Sequence, residues 1–124
     1  MDTSVWVDHL RSGIPELAAR LEGGEVLIHP WVIGELACGN LRDRQGVLTL
    51  LQGLPMAEAA SDPEVFALLE RHQLMGRGIG WIDAHLLASA LLARGPLWSN
   101  DRRLARIAGE LGVGWSGGGR RRLR

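Results

Sequence analysis

The segment that most constrains the fold is the run from Ile82 to Arg94, IDAHLLASALLAR, which is apolar at almost every position. Its length predicts a helix, and the following Gly95-Pro96 predicts where that helix ends. A helix that is apolar on all sides is buried on all sides, so the rest of the chain has to surround it. The few polar members of the run are Asp83, His85, Ser89 and Arg94.

Short apolar runs typical of strands alternate with helical segments along the rest of the chain. We predict strands at residues 26–28, 56–59, 97–98 and 113–115. We predict helices over residues 4–11, from Pro15, from Pro30, across residues 47–51, from Asp62 with a cap at Ser61, and from a cap at Asn100. This order predicts an α/β domain with a short parallel sheet covered by helices.

Composition restricts the class of protein and its compartment. The single cysteine, Cys38, excludes an internal disulfide and makes a cysteine-based zinc site a poor explanation. The N-terminus lacks the apolar segment of a signal peptide, and no stretch is long and apolar enough to span a membrane. We therefore expect a cytoplasmic protein with no membrane association.

Charge is divided unevenly along the chain. The sequence has 14 basic residues, all arginine, and 14 acidic ones. Four of the arginines lie in the tail SGGGRRRLR, residues 116–124, which we expect to be disordered beyond a folded domain of residues 1–115. Without that tail the domain has a net charge of about −4. The tail either contacts RNA phosphates or is a solvated extension without function.

Four acids stand in apolar surroundings or at the ends of predicted elements, namely Asp2, Glu35, Asp83 and Asp101. In open α/β sheets, ligands collect where strands end and helices begin. If these carboxylates converge, a hard divalent cation, Mg²⁺ or Mn²⁺, offsets their repulsion and activates a water against a phosphodiester. Each acid also has a structural interpretation, because Asp83 and Asp101 could cap helices and Glu35 could be a solvated helix residue.

Four strings in order, DTSVWVDHLR, WVIGELACGN, WIDAHLLASA and LWSNDRRLARIA, resemble PIN-domain proteins and, more narrowly, the VapC toxins of bacterial VapBC toxin–antitoxin modules. The resemblance covers residues 2–115. It implies a PIN-like three-layer α/β/α sandwich with a short parallel sheet of four to five strands. It also implies an Mg²⁺- or Mn²⁺-dependent endoribonuclease that cleaves structured RNA such as tRNA and leaves 5′-phosphate and 3′-hydroxyl ends.

The resemblance assigns roles residue by residue. Asp2, Glu35, Asp83 and Asp101 match the family's catalytic, metal-binding acids, and Ser4 and Ser99 match hydroxyls that support the site. The implied partners are a VapB-like antitoxin, an RNA substrate and a second copy of the chain. Beside Asp101, Arg102 and Arg103 are candidates for RNA contact, although a role on the helix surface explains them equally well.

The chain departs from the family pattern at its start. The first acid of the family follows a buried central strand, whereas here only Met1 precedes Asp2, so that strand is truncated or missing. Either the true start lies upstream or the domain lacks a core strand. The second possibility keeps a different function open, that of a catalytically inactive PIN-fold module that binds antitoxin or RNA. A small metal-dependent phosphatase or DNA nuclease is a further alternative.

Overall fold

The structure, a computed structural model, describes residues 1–115, and its helices begin where the sequence supplies proline or a capping side chain. Seven helices form in this part of the chain. They are α1 (Thr3–Ser12), α2 (Pro15–Glu22), α3 (Pro30–Ala37), α4 (Arg44–Gln52), α5 (Asp62–His72), α6 (Trp81–Ala93) and α7 (Arg102–Glu110).

Helix α6 lies at the centre of the molecule, as its composition predicts. Seven consecutive residues, from Ala84 to Ala90, are buried, so every face of the helix is covered by protein. Even the polar Ser89 is buried, and its hydroxyl donates to the carbonyl of Glu58 at 2.7 Å. Because α6 is enclosed on all sides, the position of its first turn is fixed by the whole core.

The start of α7 corrects one prediction. The N-cap is Asp101 and not Asn100, since the Asp101 carboxylate accepts from the amides of Arg103 and Leu104. Asn100 and Asp101 are equally good capping residues, so the sequence alone does not separate them. The predicted cap at Ser61 is confirmed, and Glu64 completes a capping box at the start of α5.

Within residues 1–115 the predicted strands are reduced to isolated parallel pairings. Ile28 pairs with Met56, and Leu97 pairs with Gly114. The extended start of the chain joins the second pair, because the amide of Asp2 donates to the carbonyl of Trp98 at 3.0 Å. The runs are short, and within residues 1–115 the pairings do not extend into continuous ladders.

The predicted tail, residues 116–124, lies outside the described residues. The helices of the described part are all too short or too polar to cross a bilayer.

His29 stabilises the start of α3 in its neutral form. Its Nδ1 atom accepts from the amide of Trp31 at 3.1 Å, which caps the helix. Its Nε2 atom is buried without a hydrogen-bond partner among residues 1–115. Burial above all, together with the charges of His85 and of the chain's N-terminal amine, lowers the pKa of His29 from 6.5 to about 4.

This arrangement predicts a loss of stability in acid. Between pH 6.5 and about 4 the unfolded chain binds a proton at His29 that the folded chain does not, so the free energy of unfolding falls as the pH falls. At pH values below about 4, the loss in the free energy of unfolding that is due to His29 reaches ~3 kcal/mol. We expect His29→Asn, which keeps a capping acceptor but does not titrate, to have a shallower dependence on pH in chemical denaturation.

The exposed His72 provides the control. His72→Asn should follow the pH dependence of the unmodified protein. Identical pH dependence in His29→Asn and the unmodified protein would show that His29 does not contribute to it.

Candidate active site

Asp2 is the most enclosed of the four predicted acids, at 5% exposed. Its carboxylate caps α1 by accepting from the amides of Ser4 and Val5. The hydroxyls of Ser4 and Ser99 also donate to it, the latter at 2.6 Å. These donors replace the hydrogen bonds to water that the buried carboxylate loses on folding.

Ser99 joins Asp2 to Asp101. While its hydroxyl donates to Asp2, the same oxygen accepts from the amide of Asp101 at 2.9 Å. The amide of Asn100 donates to the Ser4 hydroxyl at 3.0 Å. The segment that leads into α7 is therefore tied to the first turn of α1 through both of the predicted supporting hydroxyls, Ser4 and Ser99.

Glu35 reaches this region from α3. Its carboxylate accepts from the hydroxyl of Thr3 at 2.6 Å, which links α3 to the first residue of α1. Glu35 itself is exposed. An exposed glutamate held by a side chain from another helix has a fixed position that a freely solvated glutamate lacks.

Asp83 lies in the first turn of α6, where its carboxylate accepts from the amide of Gly80 at 3.1 Å. Partial burial raises the pKa of Asp83 and the hydrogen bond from Gly80 opposes that rise. The charges of Asp2, Asp101 and Glu35 raise the pKa further. The structure thus brings all four predicted acids close enough for three of them to disfavour the charge of the fourth.

The four carboxylates are nevertheless directed toward local donors. Among residues 1–115, no three acidic, histidine or cysteine side chains stand in position to enclose one ion. Asp2, Asp83 and Asp101 each accept hydrogen bonds from backbone amides at a helix start. Glu35 accepts a hydrogen bond from the Thr3 hydroxyl. These bonds satisfy the carboxylates individually and keep them apart.

Sequence reasoning missed two contributors to this arrangement. Thr3 was not singled out, although it lies between Asp2 and Ser4 and donates to Glu35. Arg103 was considered as an RNA contact or a helix-surface residue, and its packing against Gly78 was not expected: a Cβ at Gly78 would be 2.7 Å from the arginine Cδ. Gly78 has a φ of +83°, a conformation that favours glycine, whereas the flexible arginine side chain could move away from a Cβ.

Other polar and aromatic residues fall outside the cluster of carboxylates. Asp8 is exposed and accepts from the side chain of Asn100 at 2.6 Å. His85 is buried against Trp31 and Trp81. Trp6 is 1% exposed and belongs to the core, whereas Trp31 is 43% exposed and remains available to a partner.

Comparison with known proteins supports the resemblance to PIN-domain proteins. The family model for the PIN domain matches residues 1–110. Ribonuclease VapC32 of Mycobacterium tuberculosis, from strains CDC 1551 / Oshkosh and ATCC 25618 / H37Rv, is 43% identical over 114 residues in each case. The alignment covers 91% of this chain and 92% of each relative. No solved structure matches the chain significantly.

The matches span nearly the whole domain, and they agree with the resemblance that the four sequence strings indicate. They also agree with the order of helices and parallel pairings around a buried α6. The chain belongs to the PIN-domain family, among the VapC ribonucleases.

Proposed function

We propose that this chain is the toxin of a type II toxin–antitoxin system, an Mg²⁺- or Mn²⁺-dependent endoribonuclease that cleaves structured RNA such as tRNA in the cytoplasm. One observation carries the proposal: Asp2, Glu35 and Asp101 converge on Asp83 closely enough to raise its pKa. A domain gains no stability from such convergence, because like charges repel. A divalent cation between the carboxylates would turn that repulsion into attraction.

The chemistry of the residues suits such a cation, and the side chains would have to turn from their local donors to enclose it. The candidate ligands, Asp2, Glu35, Asp83 and Asp101, offer carboxylate oxygens, which hard cations prefer over nitrogen or sulfur. When bound, Mg²⁺ or Mn²⁺ supplies polarisation of the phosphodiester and a lower pKa for the attacking water. A histidine base is not needed for this chemistry, and His85 is buried among aromatic side chains away from the carboxylates.

The protein's own groups position the carboxylates and the substrate. Ser4 and Ser99 orient Asp2, and Thr3 orients Glu35. Asp83 is held by the Gly80 amide at the start of a helix that the core fixes in place. The exposed Arg102 and Arg103 follow Asp101 directly, so their guanidinium groups are suited to hold phosphates beside the reacting one.

The finer architecture that supports this site is the PIN sandwich. We propose that residues 1–2, 26–28, 56, 97–98 and 113–114 form the parallel sheet between two layers of helices. The pairings of Ile28 with Met56 and of Leu97 with Gly114 are parallel, and Asp2 adjoins Trp98. In this proposed sheet Asp2 would follow a central strand, so that residues from the strands on either side could approach it.

A VapB-like antitoxin is the proposed protein partner. A groove of about 580 Å³ between α1, α3 and α4 has apolar side chains such as Val7, Leu36 and Val47 in its lining. The same lining includes Thr3 and Glu35, so the groove opens onto the carboxylate cluster. The lining also includes Arg11 and Arg42, so an antitoxin segment that combines apolar with acidic residues matches the groove and would block access to the site.

A homodimer is the proposed assembly, with an exposed aromatic surface as its contact. The rings of Trp31 in α3 and Trp81 in α6 lie 5.3 and 4.8 Å from that of His85. Phe66 of α5 extends the surface, with its ring 4.9 Å from that of Trp81. Phe66 is 58% exposed and Trp31 is 43% exposed. Aromatic side chains are enriched at protein interfaces, and a second copy would present the same rings to them.

The primary test is cleavage of total tRNA and rRNA by the purified chain with Mg²⁺, with Mn²⁺ and with EDTA. We expect cutting with either metal and none with EDTA. Asp83→Asn should reduce the rate ~10³-fold or more, because several kcal/mol of charge stabilisation is lost. Circular dichroism should show the variant folded.

Asp43→Asn is the matched control, since Asp43 also accepts an amide at a helix start, that of Gly46, but lies outside the cluster. It should cleave at the unmodified rate. If Asp83→Asn behaved like Asp43→Asn, Asp83 would be a helix cap and nothing more. A folded, unmodified chain that cuts none of these RNAs would instead indicate the inactive binding module.

Ser99→Ala tests the support of Asp2. The substitution removes the 2.6 Å donor to a buried carboxylate and should lower the free energy of unfolding by about 2 kcal/mol. Cleavage should fall ~10- to 100-fold through misplacement of Asp2 and Asp101. Ser99→Thr keeps the hydroxyl and should retain most of both properties. Equal losses in the two variants would point to packing and not to the hydroxyl.

Light scattering during gel filtration tests the assembly. The molar mass measured for the unmodified chain should be twice the 13.5 kDa of one copy. Phe66→Asp should elute as a monomer, because it places a charge within an apolar contact. Leu50→Asp, at an equally exposed apolar residue of α4, should remain dimeric. A monomeric unmodified chain contradicts the proposed dimer, and a dimeric Phe66→Asp contradicts its location.

A further inference from the structure

We propose that Arg77 and Glu110 are positioning residues of the candidate active site, because their ion pair holds the segment before α6 against α7 and so sets where Asp83 lies relative to Asp101. This inference rests on the proposed ribonuclease function and adds two residues to it. Both residues lie outside the four sequence strings that resemble PIN-domain proteins.

The Asp83 carboxylate is held differently from those of Asp2 and Asp101. Asp2 and Asp101 are joined through Ser99, whose hydroxyl donates to the first and accepts from the amide of the second. The Asp83 carboxylate accepts from the amide of Gly80 at 3.1 Å, within its own segment. The position of Asp83 relative to the other two therefore depends on how that segment is placed.

The segment between α5 and α6 is rich in glycine. Residues 76–80 read GRGIG, with three glycines in five positions. Gly76 and Gly78 have φ angles of +74° and +83°, which favour glycine. Glycine gives the backbone more conformational freedom than any other residue, so such a segment needs contacts with other elements to hold it in one place.

Two contacts with α7 hold this segment. The guanidinium of Arg77 donates to both carboxylate oxygens of Glu110, at 2.9 and 2.8 Å. The side chain of Arg103 lies against Gly78. Glu110 is the last residue of α7 and Arg103 belongs to its first turn, about two turns away. The adjacent residues Arg77 and Gly78 are thus attached to the two ends of α7.

These contacts connect the two helix starts that bear Asp83 and Asp101. The segment ends at Gly80, the N-cap of α6, and Asp83 lies in the first turn of that helix. Asp101 is the N-cap of α7. Two parallel hydrogen bonds between a guanidinium and a carboxylate fix orientation as well as distance. A shift of the segment along α7 would therefore change the distance between the two aspartates.

The pair is better suited to positioning than to stabilising the fold. The side chains of Arg77 and Glu110 are 34% and 47% exposed. Ion pairs this exposed contribute little to the free energy of unfolding, because water and salt screen their charges. Loss of the pair should therefore affect the proposed metal site more than it affects stability.

The test compares the unmodified full chain with Arg77→Ala, Glu110→Ala and the double variant. Mn²⁺ affinity is measured by electron paramagnetic resonance, cleavage of tRNA at saturating Mn²⁺ gives kcat and KM, and chemical denaturation gives stability. Glu25→Ala is the matched control, since Glu25 forms a 2.6 Å ion pair with Arg20 that does not involve residues 76–80 or α7.

Each single variant should bind Mn²⁺ ~3- to 10-fold more weakly and have a kcat ~10-fold lower, with KM and the denaturation midpoint nearly unchanged. The double variant should be no worse than either single variant, because all three lack the same pair. Glu25→Ala should match the unmodified chain in every measurement.

Hydrogen exchange provides a measurement without metal. The amide of Gly80 donates to Asp83, and the amide of Ala84 donates to the carbonyl of Gly80 at 3.0 Å. Both amides should exchange faster in Arg77→Ala and in Glu110→Ala than in the unmodified chain, since the segment that leads into α6 is less restrained.

The direction of the two effects separates positioning from simple charge attraction. Arg77→Ala removes a positive charge and Glu110→Ala removes a negative one, so charge alone would change RNA cleavage and Mn²⁺ affinity in opposite directions in the two variants. Opposite changes, or additive losses in the double variant, would overturn the proposal.

Mn²⁺ affinity and kcat equal to those of the unmodified chain in both single variants would also overturn the positioning role, while leaving the ribonuclease function intact. An unmodified chain that binds no Mn²⁺ and cuts no RNA would overturn the ribonuclease function and, with it, this inference.

Discussion

The buried carboxylate of Asp2 joins parts of the chain that are almost a full length apart. It accepts from the first turn of α1 on one side and from Ser99, which leads into α7, on the other. The amide of the same residue donates to Trp98. A buried carboxylate that lost these donors would carry a desolvation cost of several kcal/mol, so the fold and the site depend on one set of hydrogen bonds.

Two other carboxylates of the cluster are likewise held by hydrogen bonds that stabilise the fold. Asp83 and Asp101 accept amides at the starts of α6 and α7, where the helix dipole favours negative charge. These structural roles were offered as alternatives to a functional role for each acid. The structure confirms the capping role, and this role is compatible with the proposed functional one, because a carboxylate that caps a helix is held in a fixed position. Capping thus offsets the cost of bringing like charges together.

Much of the fold is predictable from local sequence patterns. The uniform apolarity of residues 82–93 correctly predicts a helix enclosed by the core, and prolines or capping side chains predict the starts of α2, α3 and α5. The sheet is less predictable, because short apolar runs show that a segment is extended but not how far its pairing continues. The cap at Asp101 also escapes prediction, since its neighbour Asn100 satisfies the same local rule.

The candidate site, too, is predictable from the sequence only in part. Spacing and family resemblance select the four acids and two serines, because each of these residues is identified from its own position in the sequence. The bond from Thr3 to Glu35 and the packing of Arg103 on Gly78 join residues from distant segments, and a single sequence contains no signal for either. Such contacts between segments set the distances among carboxylates, and those distances decide whether a cation can be shared.

Glu35 shows why these long-range contacts matter for the chemistry. Unlike the three aspartates, it lies in the second half of α3, where the helix dipole does not favour a negative charge. Its position therefore depends on the Thr3 hydroxyl and on whatever cation the cluster shares. In the proposed metal site, Glu35 is the one carboxylate of the four that could move toward a cation without breaking a helix cap. On that proposal, Glu35 would be the carboxylate best able to adapt its geometry to metal and substrate.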